Sequence, residues 1–534
     1  MPSTFHGLET AKRAMFTQQS ALYTTGHNVA NANTPGYTRQ RVEFTQTEPY
    51  PSAAMNRPDY PGQLGTGVKA GAIQRIREAF LDVQYRGENS KVGYWETKAD
   101  TLQKMEEILN EPSESGLSHT MDQFWQSLQD LAVNPTNAGA RSVVRQRGIA
   151  LAETFNYLSD SLNGIKTDLK NEIKIAKDKV NSLLDQIAQV NAQIADVEPH
   201  GYLPNDLYDK RDLLIDELSS MVKINVDYVE SGGDPAPGAM GQAVIKLAND
   251  AGGDMAVLVG PAGFNEIDIT FGGPNGSVDF VKVGGKQIAF TDFDSQGQLK
   301  GLIEGFGYKV TEVQADGTTV DKVAGTYPDM LTELDNLAYT FATEFNKVHA
   351  AGMGPNEIAA GVNSDINFFA DNGSTDGTIG ARAGFASRIG ISQDIKDSLD
   401  NIANAVQTNP EATPPTPAEA DLGDMTNVLN LADVFNLDFD YGLNNEKASL
   451  RSYYESVIGD MAVESQEATR LSQNSGVLRS AVEERRMSAS SVSLDEEMTN
   501  MIKFQHAYNA AARMISLTDE MLDKIINGMG TGGR

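Results

Sequence analysis

Cysteine is absent from the 534 residues, which excludes disulfides, thiolate nucleophiles and sulfur-ligated zinc together. Long apolar runs are missing as well. No stretch reaches the ~18 residues of a membrane-spanning helix. Met1 to Phe16 carries His6, Glu9, Lys12 and Arg13, so no ordinary cleavable signal peptide is expected. Basic side chains are few, 43 against 73 acidic, and the net charge of -30 repels phosphate backbones and anionic lipid. Nucleic acid and membrane are therefore poor partners. The six histidines, His6, His27, His119, His200, His349 and His506, show no helical pairing and hence no metal-ligand pattern. Asp292, Asp294, Gln296 and Gly297 open like a calcium loop, but Ile303 stands where its bidentate glutamate belongs. Gly65, Gly67 and Gly71 lack the Lys-Ser or Lys-Thr pair of a phosphate loop. Neither a catalytic constellation nor a cofactor or metal site is expected, and the chain reads as a non-enzyme.

Helical periodicity is abundant. Leu8, Met15, Leu22 and Val29 recur every seven residues with Ala11 among them, a narrow seam that predicts an N-terminal helix in need of a partner. At the other end Leu494, Met498, Met501, Tyr508, Ala512, Ile515, Leu522, Ile526 and Met529 follow steps of four and three, interrupted by Gln505 and Asp519. Ser493 followed by Glu496 has the form of a capping box that starts this helix, and Gly528 with Gly530 ends it. Such narrow seams are marginal alone in water, so both ends are expected to be largely disordered in the free monomer and to fold on assembly. The longest seam runs from Leu151 to Val197, through Phe155, Leu162, Leu169, Ile173, Val180, Ile187 and Ile194, a rod of roughly 70 Å at 1.5 Å per residue. Seams at Leu334 to Val348 and Leu450 to Val482 are its expected partners.

Between the helices, Gly232, Gly233, Pro235 and Pro237 open a segment of short alternating runs that reads as β-structure. Strands are expected at Ala243–Leu247, Met255–Val259, Ile267–Phe271, Val278–Val283 and Lys309–Val313. The fold class is thus mainly α with an inserted β-rich domain, elongated, with N- and C-terminal helices pairing as a coiled coil. The expected domains are residues 1–75 with 488–534 as the terminal coiled coil, and 76–224 with 326–350 and 441–487 as a helical-bundle body. Residues 225–325 form the exposed β insert, and 351–440 an irregular Gly/Pro-rich segment with short helices. Within the last, Gly352 to Pro417, closing on Pro410, Pro414, Pro415 and Pro417, reads as an exposed loop or linker.

One string stands apart: HNVANANTPGYTRQRVEF, His27 to Phe44. Asn28, Asn31 and Asn33 fray a helix, Pro35 and Gly36 stop it, and Val42 and Phe44 alternate with Arg41 and Glu43 into an extended arm. A second alternating run, Val68 to Gln74, is placed to form a hairpin with that arm. Asn28, Val29, Ala30, Asn31, Thr34, Gly36 and Tyr37 fill every place of the signature that flagellar rod, hook and hook-associated axial proteins share, and the chain resembles that family. Ser3 to Val42, Pro204 to Leu218 (PNDLYDKRDLLIDEL) and Ser493 to Ile515 are similar to its hook-associated members rather than to rod or hook subunits.

The resemblance implies a structural protein that polymerises as a short ring of identical subunits between hook and filament, with its terminal helices innermost. It implies as partners the hook protein, the junction protein FlgL, and the export chaperone FlgN on the C-terminal seam, where Met498, Met501, Met514 and Met521 suit more than one partner surface. It also implies an extracellular location reached through the flagellar secretion apparatus. The alternatives are another axial subunit, of the hook or the distal rod, or an extracellular hydrolase or adhesin carried on a coiled-coil rod.

Overall fold

The computed structural model describes residues 5–51, 55, 62–109, 113, 116–313, 318–374, 377–409, 418–441 and 447–528. Its axis is one helix. After α1 (Phe5–Ala30), α2 (Ala79–Leu109) and α3 (Leu117–Val133), helix α4 (Ala138–Val197) runs for 60 residues, about 90 Å at 1.5 Å per residue. A residue every third or fourth position between Leu151 and Ile194 faces the core: Leu151, Phe155, Leu158, Leu162, Leu169, Ile173, Val180, Ile187 and Ile194 are all buried. The helix begins well before that seam. Asn137 caps it, its side chain accepting from the N–H groups of Gly139 and Ala140, and its first turns bury Arg141, Val144 and Gly148, a row with only one large apolar side chain. Arg141 donates to the carbonyls of Pro135 and Ile402 and to Asn404 Oδ1, a polar anchorage that hydrophobic periodicity cannot reveal.

The body is completed by α5 (Asn205–Met221), α6 (Gln298–Phe306), α7 (Thr326–Ala351) and α11 (Leu450–Ser490). α7 packs on α4, whereas α11 lies antiparallel along α2, not along the long helix as its seam suggested. Tyr454, Met461, Ala468, Ser475 and Val482, seven apart, form the buried row of α11. The buried positions of α2 include Arg86, Asn89 and Ser90 beside Val92 and Leu102, with Arg86 turned to Asp216 of α5 and Asn89 reached by Arg479 of α11, a half-polar set with little periodic signal.

The insert is two antiparallel meanders. β3 (Ile224–Val229), β4 (Gln242–Ala248), β5 (Asp254–Gly260) and β6 (Gly263–Phe264) form the first, and β7 (Ile267–Thr270), β8 (Phe280–Val283) and β9 (Lys286–Ala289) the second, following β1 (Gln40–Gln46) and β2 (Val68–Arg75) of the arm. Hairpin β10–β11 (Tyr308–Val313, Thr319–Ala324) follows α6. The residues between α7 and α11 are not an exposed loop over their described part. Short helices α8 (Pro355–Ala360), α9 (Gln393–Asp397) and α10 (Thr426–Asp433) frame paired strands Phe369–Asp371 and Ile389–Ile391. Phe368 and Phe369 bury against Phe124, Phe341 and Phe345. Strands of two or three residues are too short to show a readable period, which is why the lobe looks like a loop in sequence. Pro410, Pro414, Pro415 and Pro417 lie outside the described residues.

His349 ties this lobe down. Its Nε2 accepts the N–H of Ala403 at 3.1 Å, so Nδ1 carries the proton and donates to the Ile366 carbonyl at 2.7 Å. Burial disfavours the charged ring and lowers its pKa from 6.5 to about 4. The folded state therefore takes up its proton later than the unfolded chain: this contribution is whole above pH 6.5 and is lost as pH falls toward 4, amounting to about 3 kcal/mol. Denaturant unfolding of the parent and of His349→Gln at pH 7 and pH 4 is expected to show their stability gap narrowing at the lower pH. An unchanged gap would contradict a neutral buried ring.

Candidate functional site

The two ends of the chain meet. α1 and α12 (Leu494–Gly528) form an antiparallel pair in which the first turn of α12 touches the last turn of α1, Asn28 Nδ2 donating to Glu497 Oε2 at 3.1 Å. The innermost positions are small or polar: Ala11, Thr17, Ala21, Thr24 and Asn28 on α1, and Glu497, Ala511 and Thr518 on α12. Of the N-terminal seam, Ala11 is buried and Leu8, Met15, Leu22 and Val29 are half-buried beside that row. Of the C-terminal seam, Met501, Tyr508, Ala512, Ile515 and Leu522 are half-buried, while Leu494, Met498 and Ile526 are exposed. Met529 lies outside the described residues, as does Gly530. The larger apolar side chains face outward: Tyr23 and Ile526 are each 70% exposed, and Phe5, Phe16, Ile502, Met514, Leu517 and Met521 are exposed too.

The signature string builds the turn that joins this pair to the arm. Asn28 is its hub. Its Oδ1 accepts from Tyr37 Oη at 2.8 Å and from the Gln40 N–H at 3.0 Å, and its Nδ2 donates to the Gln40 carbonyl at 2.8 Å. His27 Nδ1 meets the Tyr37 hydroxyl at 2.9 Å. Beyond Ala30, the last helical residue, Asn31 donates back to the His27 carbonyl and accepts from Thr34 Oγ1. Gly36 has φ 77°, the left-handed region, and a Cβ there would sit 3.3 Å from Leu213. Burial, aided by Asp206, Asp209 and Glu497, pushes the Tyr37 hydroxyl pKa well up, so it stays a donor. β1 and β2 then pair antiparallel, and Phe44 meets Phe504 of α12 edge to face at 5.9 Å. Arg39 clamps the start of α12, Nε on Glu497 at 2.8 Å and Nη1 on Glu496 at 2.7 Å. Glu496 thus pairs with Arg39.

The joint with the body was not legible in the sequence reading. One stripe of α5 presents Asn205, Asp209, Asp212 and Asp216, at steps of four, three and four. Asp209 Oδ2 accepts the Thr38 N–H at 3.0 Å and its Oδ1 takes Arg75 at 2.7 Å. Asp212 takes Arg75 at 2.9 Å and Arg77 at 3.0 Å. Asp216 receives Arg86 of α2 at 2.8 Å and Arg486 of α11 at 2.6 Å. One helix face therefore binds the signature turn, the arm, α2 and α11 at once. Burial favours the neutral acid at Asp212, but Arg77, Arg75, Arg86 and Arg211 outweigh it and hold the carboxyl at about 2. At Asp209 burial prevails over Arg75 and the pKa rises. The only readable sign was three aspartates on one face of PNDLYDKRDLLIDEL. Among the described residues no three His, Asp or Glu side chains gather as a metal site, and no helix is long and apolar enough to cross a membrane. Asp294 instead pairs with Lys300 at 2.7 Å, and Ile303 is buried in α6.

A helical rod whose two chain ends pair beside a folded arm, with a β domain inserted in its length, is the design of an axial structural protein. Family models agree region by region: "Flagellar hook-associated protein FlgK helical domain" matches residues 102–369, "Flagella basal body rod protein" residues 8–38, and "Flagellar basal body rod FlgEFG protein C-terminal" residues 483–528. Flagellar hook-associated protein 1 of Bacillus subtilis is 43% identical over all of both chains, and that of Escherichia coli is 23% identical over 95% of this chain and 97% of its own. The flagellar hook junction protein FlgK from Burkholderia pseudomallei shares the fold, with a TM-score of 0.59 at 14% identity over 77% of this chain and 100% of its own. The chain belongs to the family of flagellar hook-associated protein 1, FlgK.

Replacing Asp212 by Asn leaves Arg75, Arg77 and Arg86 crowded without their shared counter-charge, and is expected to destabilise the protein by about 3–5 kcal/mol at pH 7. Because the folded pKa is depressed, the stabilisation is whole above pH 3.8 and is lost as pH falls toward 2. Thermal unfolding of Asp212→Asn checks this, and a loss below about 1 kcal/mol would mean the network is structurally idle.

Proposed function

We propose that this chain is the hook–filament junction subunit, polymerising as a short ring of identical copies, without catalytic activity of its own. The observation that carries this reading is the terminal pair. Its two helices meet through alanines, threonines and an asparagine, and so bury little apolar area against each other, while Phe5, Phe16, Tyr23, Ile502, Met514, Leu517, Met521 and Ile526 remain exposed. Apolar side chains repeated along both helices gain their burial from neighbours. Full-length similarity to hook-associated protein 1, with the rod models confined to the two ends, favours the junction over a hook or rod position.

The partners proposed are further copies of the chain, the hook protein on one side and FlgL on the other. FlgN is the proposed chaperone of α12 before export through the flagellar secretion apparatus. The exposed methionines Met498, Met514 and Met521 suit a helix that must fit first a chaperone and then its own kind. The acidic surface is a solvated face.

Immunogold microscopy of isolated hook–filament complexes, with antibody against residues 232–325, is expected to mark one narrow band where hook meets filament. Label along the whole hook would make the chain a hook subunit instead. In the free monomer, amide exchange is expected to be faster by at least about 100-fold in α1 and α12 than in the buried stripe of α4. Equal protection would refute ordering on assembly.

A further inference from the structure

We propose that Lys166, Lys170 and Lys174 of α4 form one half of a lateral contact between neighbouring copies, the other half being Asp460, Glu464 and Glu467 of α11. The proposal rests on the ring reading above and specifies the charged face by which the bodies of adjacent subunits meet.

The lysines occupy positions i, i+4 and i+8, a single stripe about 12 Å long. Like charges at this spacing repel on their own helix. None of the three has an ion-pair partner among the described residues, although the chain has 73 acidic side chains against 43 basic. They are nevertheless held in place. Lys166 Nζ lies 5.6 Å from the Phe306 ring centre and Lys170 Nζ 4.9 Å from that of Phe271, so the ammonium groups themselves rest against aromatic faces; both residues are half-buried, and burial lowers the pKa of Lys166. Lys174 is exposed.

Asp460, Glu464 and Glu467 sit at i, i+4 and i+7 on α11, all exposed, a stripe of about 10 Å. They too repel one another. Asp460 and Glu464 have no ion-pair partner among the described residues, and Glu467 has only Arg470 of its own helix, at 4.0 Å.

The two stripes lie at one height along the rod. Lys104 of α2 reaches Glu172 of α4 at 3.5 Å, and two residues on, Glu106 of α2 accepts from Ser465 of α11, also at 3.5 Å. Within one subunit they do not neutralise each other, because α11 packs on α2 and not on α4. Two copies standing side by side at the same height bring stripes of equal length and opposite charge together. In a chain of net charge -30, general repulsion between copies is large, and a local complementary patch sets both their approach and their register.

The test uses purified full-length protein added to isolated hooks that lack their distal proteins, with bound chain per hook measured by densitometry and electron microscopy. Parent protein binds as a terminal band; failure of the parent itself would overturn the ring reading, and this contact with it. With the parent bound, K166E/K170E/K174E is expected to bind about tenfold less at low salt, and the neutralising K166Q/K170Q/K174Q to lose less. Circular dichroism matching the parent shows that these variants are folded. A chain carrying both K166E/K170E/K174E and D460K/E464K/E467K is expected to recover most of the binding. Undiminished binding by the lysine variants, or no recovery in the doubly reversed chain, would overturn the contact while leaving the ring reading intact.

Discussion

Asp212 is where the molecule is tied together. A carboxylate wholly removed from water is sustained only by charges placed around it, and here the guanidinium groups come from distant parts of the chain: Arg75 and Arg77 from the end of the arm, Arg86 from α2. Asp209 and Asp216, one turn to either side on α5, extend the tie to the signature turn and to α11. Hydrophobic contact is tolerant of small rotations. A shared, buried, multiply paired carboxylate row is not, because any slippage leaves a charge without its partner. The direction in which the terminal pair leaves the body is therefore set by electrostatics, and the rest of the rod by apolar packing.

This division of labour matches what each part has to do. The body, with α4 at its centre, is filled by large apolar side chains and six clustered phenylalanines, Phe124, Phe341, Phe345, Phe368, Phe369 and Phe435, and is a complete core. The terminal pair is not. Ala11, Ala21 and Ala511 let its helices approach closely, yet the side chains that would make a core for it point away from the partner helix. A stiff joint between a finished body and an unfinished helix pair gives a subunit whose apolar face is presented in a fixed direction.

Much of this was legible in the sequence, and the failures have one physical origin. The long seam of α4, the helix at each end, the arm hairpin and the β insert all follow from apolar periodicity, and the signature string was distinctive enough to point to the family. What periodicity missed was built from polar contacts. α2 bears Arg86, Asn89 and Ser90 among its buried positions, so it offered no seam, and α11 was assigned to the wrong neighbour. The start of α4 rests on Arg141, and the joint rests on aspartates and arginines separated by over a hundred residues. On α12 the apolar positions are more numerous than one partner helix can use. The buried row therefore passes through Glu497, Ala511 and Thr518, while Leu494, Met498 and Ile526 face solvent.

The most direct measurement is an electron cryo-microscopy density of the hook–filament junction at side-chain detail. The expected map has α1 and α12 innermost, Phe16, Tyr23, Met514 and Ile526 packed against neighbouring copies, and Arg75 and Arg77 still closed on Asp212. A map in which those apolar side chains face solvent, or in which the terminal pair has swung free of α5, would contradict a fixed joint presenting an assembly face.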